Sequence, residues 1–285
     1  ANELIAKDIA SECGGRTYKR TDKLSSGELE EHEIPLINIV SGLEGVADRK
    51  LAKRPTMTTP YGVTRMGLKE QIYEVLEAEP SYGIPVGQIN EVANYLAGIF
   101  KQAVGETVIA ANTVMTWLQE VAKIVASEEL PVWWTTPMGM PVVQDYKKTT
   151  AQRVDVWFLG SRTKVTIRAG TDKADKQRQS LGIAPNVIHS LDAAHMQRTI
   201  NMCSEDGIRH LSFIHDSYGT HAANTGRLAY WLREAFIEQY TQVDVLQEFY
   251  EDMMRQLEFY PELKEKLPKP PQKGTLDLAQ VRAVS

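Results

Sequence analysis

With 285 residues, of which 42% are apolar and 24% charged, the chain has material for one large core or two modest ones, which excludes a disordered or collagen-like polymer. It has no run of about 18 apolar residues, and its opening ANELIAKDIASEC lacks the charged-then-apolar layout of a secretory signal, so export and membrane spanning are disfavoured. Two cysteines, Cys13 and Cys203, make neither a disulfide framework nor a zinc site and fit a reducing cytoplasm.

In chain order, Leu4, Ile5 and Ile9 recur at helical spacing until CGG stops them. A polar loop to about Glu33 is expected next. A second helix starts near Pro35 and runs with breaks towards Thr59, which precedes Pro60 and is therefore biased out of the α region; Tyr61 and Gly62 sit at its exit. A helix over 68–78 follows, then the turn-rich EPSYGIPVG, then long helices over 88–127 with an interruption near Gly105. The period then changes to two. LPVWWTTPMGMPVVQDY reads as strand, turn and strand, and RVDVWFLGSRTKVTIR as a hairpin around Gly160. A helix over 185–203 with Pro185 near its first turn, a strand HLSFIHD with its turn, and helices over 225–240 and 243–257 complete an α+β chain. The tail PELKEKLPKPPQKGT is expected to lie extended. There is no internal repeat.

The net charge of −5 hides segregation. Between Lys147 and Arg178 stand nine basic and three acidic residues, most of them on or beside the hairpin. A solvated hairpin explains that excess, and so does contact with a polyanion.

Arg49 and Lys53 are four apart and share one helical face. Two adjacent cations repel unless an anion lies between them. Eight residues further on comes Tyr61 and then Gly62, so the stripe suits a triphosphate with a base or sugar stacked above it; a solvated basic face with a tyrosine packed at its end is the plain alternative. In FIHDSYGTH, Asp216 ends an apolar strand. It is a turn residue, or else it needs a hard cation, for which magnesium is the natural choice. Two-metal phosphoryl transfer requires a further aspartate from elsewhere. His189 lies on a helix with Asp192 three residues later, where a structural histidine is the ordinary reading.

Taken together and in this order, these motifs resemble the carboxy-terminal part of the single-subunit RNA polymerases of bacteriophages and mitochondria. RKLAKRPTMTTPYG resembles their fingers helix, GIAPNVIHSLDAAHM the helix that presents a histidine to the new base pair, IHDSYGT the palm turn, and YKKTTAQRVDVWFLG the promoter-specificity loop. The resemblance implies a right-hand polymerase fold, with fingers over 1–130, β-hairpins over 131–181 and part of the palm over 182–285. It implies DNA-directed RNA synthesis from ribonucleoside triphosphates with release of pyrophosphate. Arg49 and Lys53 then grip the triphosphate, with Lys53 protonating the leaving pyrophosphate. Tyr61 and Gly62 monitor the nucleotide, His189 touches it, and Asp216 binds magnesium. Lys147, Lys148 and Arg153 face DNA.

Departures from the family pattern are equally specific. Pro55 and Pro60 stand where the family is helical, so a kink or an early end is expected. Met66 replaces an aromatic residue. The family's first catalytic aspartate has no counterpart here, nor does the aromatic carboxy terminus, which implies two magnesium ions sharing one aspartate from this chain and another from a second polymerase chain or a further segment. A heterodimeric phage enzyme in the cytoplasm of an infected bacterium is thus expected, rather than a mitochondrial one. A DNA polymerase of the related family and a noncatalytic DNA-binding subunit are the rivals; Ser217, where the DNA enzymes carry Glu, favours RNA synthesis.

Overall fold

The computed structural model describes residues 1–23, 29–158 and 160–283, except for the side chains of residues 12, 20–23, 29–32 and 283. They form two compact units, Ala1–Asn112 and Thr113–Ser285.

In the first unit, α1 (Asn2–Ala10) is followed by a hairpin of β1 (Thr17–Lys23) and β2 (Leu29–Pro35), then by α2 (Ile37–Val40), α3 (Arg49–Thr58), α4 (Arg65–Ala78) and α5 (Ile89–Thr107). The hairpin corrects the expected polar loop: Thr17 pairs with Pro35 and Lys23 with Leu29, although 24–28 lie outside the described residues. Charged residues crowd both strands, so neither alternation nor an apolar run marks them. Leu68, Ile72 and Leu76 recur every four residues and are buried, with Ile5, Leu51 and Leu96 fully enclosed beside them. That stripe turns α4 inward and leaves its other face to charge.

The two prolines act differently. Pro55 is buried inside α3 and the helix continues through it to Thr58. Pro60 sits in the 3-10 turn Thr59–Tyr61, where the α-helix ends, and Gly62 closes that turn at φ 79°. The expected early end therefore falls at Pro60. The break in the next helical stretch lies at Val108, three residues beyond the glycine expected to cause it: Gly105 is inside α5.

The second unit contains α6 (Ile109–Val125, which begins just ahead of the boundary), β3 (Val132–Thr135), β4 (Pro141–Gln144), β5 (Lys147–Phe158), β6 (Ser161–Ala174), α7 (Lys176–Glu205), β7 (Leu211–Ile214), β8 (Ser217–Thr220), α8 (Thr225–Gln242), α9 (Val245–Gln256) and α10 (Pro261–Lys266). Among the described residues every sheet is a single antiparallel pair. With strands this isolated, helices must supply the core. Trp117, Trp134 and Phe249 make its centre, the phenyl ring lying 5.7 Å and 5.9 Å from the two indoles. A smaller cluster of Cys203, Ile208 and Leu228 supports Leu211, Phe213 and Tyr218 of the β7–β8 hairpin.

Two expectations are corrected here. α7 starts nine residues ahead of Pro185, which lies in its interior; the proline removes only the hydrogen bond to the Leu181 carbonyl, on a turn where Leu181 is exposed. The tail is not extended throughout, because PELKEK forms α10, with Pro261 in its first turn. Among the described residues no helix is long and apolar enough to cross a membrane.

Candidate active site

Asp48 starts α3 by accepting the Leu51 N–H at 2.8 Å, which frees four cations to follow on the first two turns: Arg49, Lys50, Lys53 and Arg54. They sort into two i,i+4 pairs. Lys50 is engaged by Glu79, and Arg54 by Glu74 at 2.6 Å, so that pair is neutralised. Arg49 and Lys53 are both exposed and have no carboxylate partner among the described residues. Backbone N–H from Leu51, helped by Tyr82 and Lys50, holds the Asp48 carboxyl below the usual carboxylate range. Burial first, and then Asp48, push the Tyr82 phenol up to about 12. The cap is thus a fixed anion hydrogen-bonded to a neutral phenol at 3.0 Å. Tyr61 lies at the exit of α3, 36% exposed, and Met66, the second residue of α4, is exposed.

In the second unit, Asp216 and His215 form the two-residue turn between Ile214 and Ser217. His215 adopts φ 54°, a left-handed conformation that favours glycine and costs a residue with a side chain on the order of 1–3 kcal/mol. Such strain persists only where the flanks determine it. Here they do: Phe213 and Tyr218 are cross-strand partners, their rings meet edge to face at 4.9 Å, and both rest on the small apolar cluster. Burial raises the Tyr218 phenol, and the carboxylates of Asp192 and Asp216 raise it further. His195, one turn beyond Asp192, lies 6.2 Å from the Tyr218 ring, and its Nε2 faces the Leu232 carbonyl at 2.9 Å.

His189 is exposed on α7, and the next residue is fixed: the Trp134 indole N–H donates to Ser190 Oγ at 2.9 Å. The structure therefore gathers Asp216, Tyr218 and Asp192, with His189 one turn before Asp192. Tyr218 escaped the sequence reading, though its place opposite Phe213 follows from a two-residue turn at His215 and Asp216. Among the described residues no group of three or more His, Cys, Asp or Glu side chains stands ready for a metal ion; Asp216 offers one hard oxygen donor, which fits a magnesium ion as one of several ligands.

The expected DNA-facing residues are spread along the β5–β6 hairpin. Lys147 is half-buried at its base and paired with Asp145 at 3.0 Å. Lys148 is exposed, and its carbonyl accepts the Thr171 hydroxyl at 2.9 Å. Arg153 is exposed opposite Thr166, about 20 Å further along the strand than Lys147 at about 3.3 Å per residue.

Comparison with known proteins is consistent with these features. The model of the DNA-dependent RNA polymerase family matches residues 17–266. The chain is 32% identical to T7 RNA polymerase of Escherichia phage T7, over 98% of this chain and 34% of that protein. It is 38% identical to DNA-directed RNA polymerase 2A of Nicotiana tabacum, over 82% of this chain and 67% of that protein, and 36% identical to the chloroplastic DNA-directed RNA polymerase 3 of Nicotiana sylvestris, over 99% and 28%. It spans about a third of the length of its phage relatives. A match over most of the chain, carrying the cationic helix and the His-Asp turn within it, makes this protein a member of the DNA-dependent RNA polymerase family.

Proposed function

We propose that this chain supplies the nucleotide-handling part of a DNA-directed RNA polymerase, in which an RNA 3′ hydroxyl attacks a ribonucleoside triphosphate on a DNA template and pyrophosphate leaves. The observation that carries the proposal is the division of the α3 cations. Lys50 and Arg54 are neutralised by Glu79 and Glu74, whereas Arg49 and Lys53, one turn apart, are left without a carboxylate among the described residues. A polyphosphate is the chemical class that relieves the repulsion between them.

In this reading the segment 1–130 acts as fingers, 131–181 contributes the nucleic-acid hairpins and 182–285 forms part of the palm. Arg49 holds phosphate oxygens through its guanidinium fork. Lys53 neutralises charge on the departing pyrophosphate and gives it a proton. Tyr61 stacks near the incoming sugar at a helix exit left open by Gly62, and His189 touches the nucleotide from α7. Asp216 is held at a strained turn, positioned before the ligand arrives and spared that ordering cost. Magnesium, when bound, activates the attacking hydroxyl and stabilises charge on the leaving group. One aspartate does not hold two ions, so a second carboxylate comes from a partner chain or a further segment of the polymerase.

Co-expression with the complementary polymerase segment tests the whole reading. The assembled enzyme should extend a primed DNA template with ribonucleotides in magnesium. Lys53→Ala should lower kcat by about 100-fold or more, the contribution of a placed general acid. Arg49→Ala should act chiefly on KM, by about 10-fold or more, the worth of one charge-assisted contact. Deoxyribonucleotide preference, or variants that leave both constants unchanged, overturns it.

A further inference from the structure

The β5–β6 hairpin separates its side chains more sharply than its sequence shows. Over the paired stretch from Thr149 opposite Gly170 to Phe158 opposite Ser161, partners share a face and successive residues alternate. One face carries Gln152, Val154, Val156, Phe158, Val165 and Ile167 and no charge. The other carries all five charged residues of that stretch: Arg153, Asp155, Arg162, Lys164 and Arg168. The alternation puts Trp157 on the charged face, directly opposite Arg162.

Trp157 is 73% exposed, whereas Trp117 and Trp134 are 5% and 3% exposed in the core. It does not belong to the apolar face, which already has its own row. Arg162 is engaged by Asp155, and Lys164, opposite Asp155, stands one same-face step away, about 7 Å. A polypeptide docking on this face would have to desolvate four cations. A nucleic-acid strand neutralises them and offers the indole a ring to stack on. In a duplex the ring faces are occupied by neighbouring pairs; an unpaired base leaves one open.

We propose that Trp157 is a stacking platform for an unpaired base of single-stranded nucleic acid held along the basic face of the hairpin. The proposal rests on reading that hairpin as a nucleic-acid contact, and it adds a residue whose contribution is not electrostatic.

The test uses the full chain, with any polymerase chain that co-purifies, and a thymidine oligonucleotide as single strand or within a duplex of the same length. Binding of the single strand should quench the emission of the exposed tryptophan. Trp157→Ala should weaken single-strand binding by about 5- to 150-fold with the salt dependence unchanged, Trp157→Phe should keep most of the affinity, and duplex binding should change little. Arg153→Ala and Lys164→Ala should instead each lower the salt slope by about one, the signature of a lost phosphate contact. If those two variants behave so while Trp157→Ala binds like the parent, the basic face stands and the stacking proposal falls. If Trp157→Ala weakens duplex and single strand alike, an unpaired base is not what it holds. If the tryptophan emission and the salt slope are unmoved in every variant, the nucleic-acid reading of the hairpin fails, and the stacking proposal with it. Circular dichroism of Trp157→Ala, superimposable on the parent, separates a lost contact from a lost fold.

Discussion

The two antiparallel hairpins β5–β6 and β7–β8 belong to the same unit and are built on opposite terms. β7–β8 has four residues in each strand, and Leu211, Phe213 and Tyr218 tie it to a core of Cys203, Ile208 and Leu228. β5–β6 has 12 and 14 residues, and β5 is exposed along its length beyond Lys147. A short hairpin lying on a core fixes one atom in space, which suits the catalytic carboxylate proposed at its tip; a long one held at its base offers two faces along its length, which suits the extended polymer proposed for it. Three changes break or sharpen this contrast.

The largest effect is expected at the fixed tip. In the assembled polymerase, Asp216→Ala should lower nucleotide addition by about 1,000-fold, the equivalent of about 4 kcal/mol of lost charge stabilisation. Because Asp216 is exposed, the unfolding midpoint should stay within about 0.5 kcal/mol of the parent. Near-normal elongation by the variant removes the metal role; a large loss of stability shows that the turn serves the fold instead.

A smaller effect is expected where the long hairpin is anchored. Tyr146, just before β5, lies against one stripe of α7. The Arg178 guanidinium is 5.1 Å from its ring centre, Asn186 Nδ2 donates to its hydroxyl at 3.0 Å, and a Cβ at Gly182 would come within 2.7 Å of Cε2. The ring is held from both ends and has little room to yield. Gly182→Ala should therefore cost about 1–3 kcal/mol of overpacking, offset in part by the better helix propensity of alanine, and lower the melting temperature by a few degrees, about 2–4 °C for each kcal/mol lost. In a Tyr146→Leu background the same change should be neutral or stabilising. If Gly182→Ala melts like the parent, the base of the hairpin is not pinned and the contrast with β7–β8 weakens.

Both hairpins were legible in the sequence because their information is local: alternation on each side of Gly160, and an apolar run ended by His215 and Asp216. The long helices were legible for the same reason. What escaped depends on partners distant in sequence. The spacing of Arg49, Lys50, Lys53 and Arg54 gives two equivalent pairs, and only the placement of Glu74 and Glu79 decides which is neutralised. Asp192 reads as a helix-surface carboxylate until Tyr218 is seen to feel it together with Asp216. Strands β1 and β2 carry charge where strands usually carry β-branched residues. Pro185 looked like a helix start, because its neighbours do not reveal that α7 has already begun at Lys176.

The smallest expected effect lies at the approach to the short hairpin and turns on pH. Asp206 follows the last residue of α7 and receives Arg227 Nε and Trp231 Nε1, each at 2.8 Å, which joins the end of that helix to α8 just before β7. The Arg227 hydrogen bond, and then that of Trp231, hold its carboxyl below the ordinary carboxylate value. A depressed native pKa means that between the native and unfolded values the unfolded chain binds the extra proton, so protons favour unfolding there. The contribution is complete above the unfolded value of about 3.9 and disappears as pH falls through the depressed native one. Asp206→Asn keeps an acceptor for Trp231 but lacks the charge. Its deficit in urea midpoint relative to the parent should be constant from neutral pH down to about 5 and should shrink towards zero below about 4. The carboxylate is near solvent, so salt should shrink the deficit too. A deficit that persists unchanged through the acid range assigns the effect to lost shape rather than charge, and the anchoring of β7–β8 then rests on the apolar contacts of Leu211, Phe213 and Tyr218.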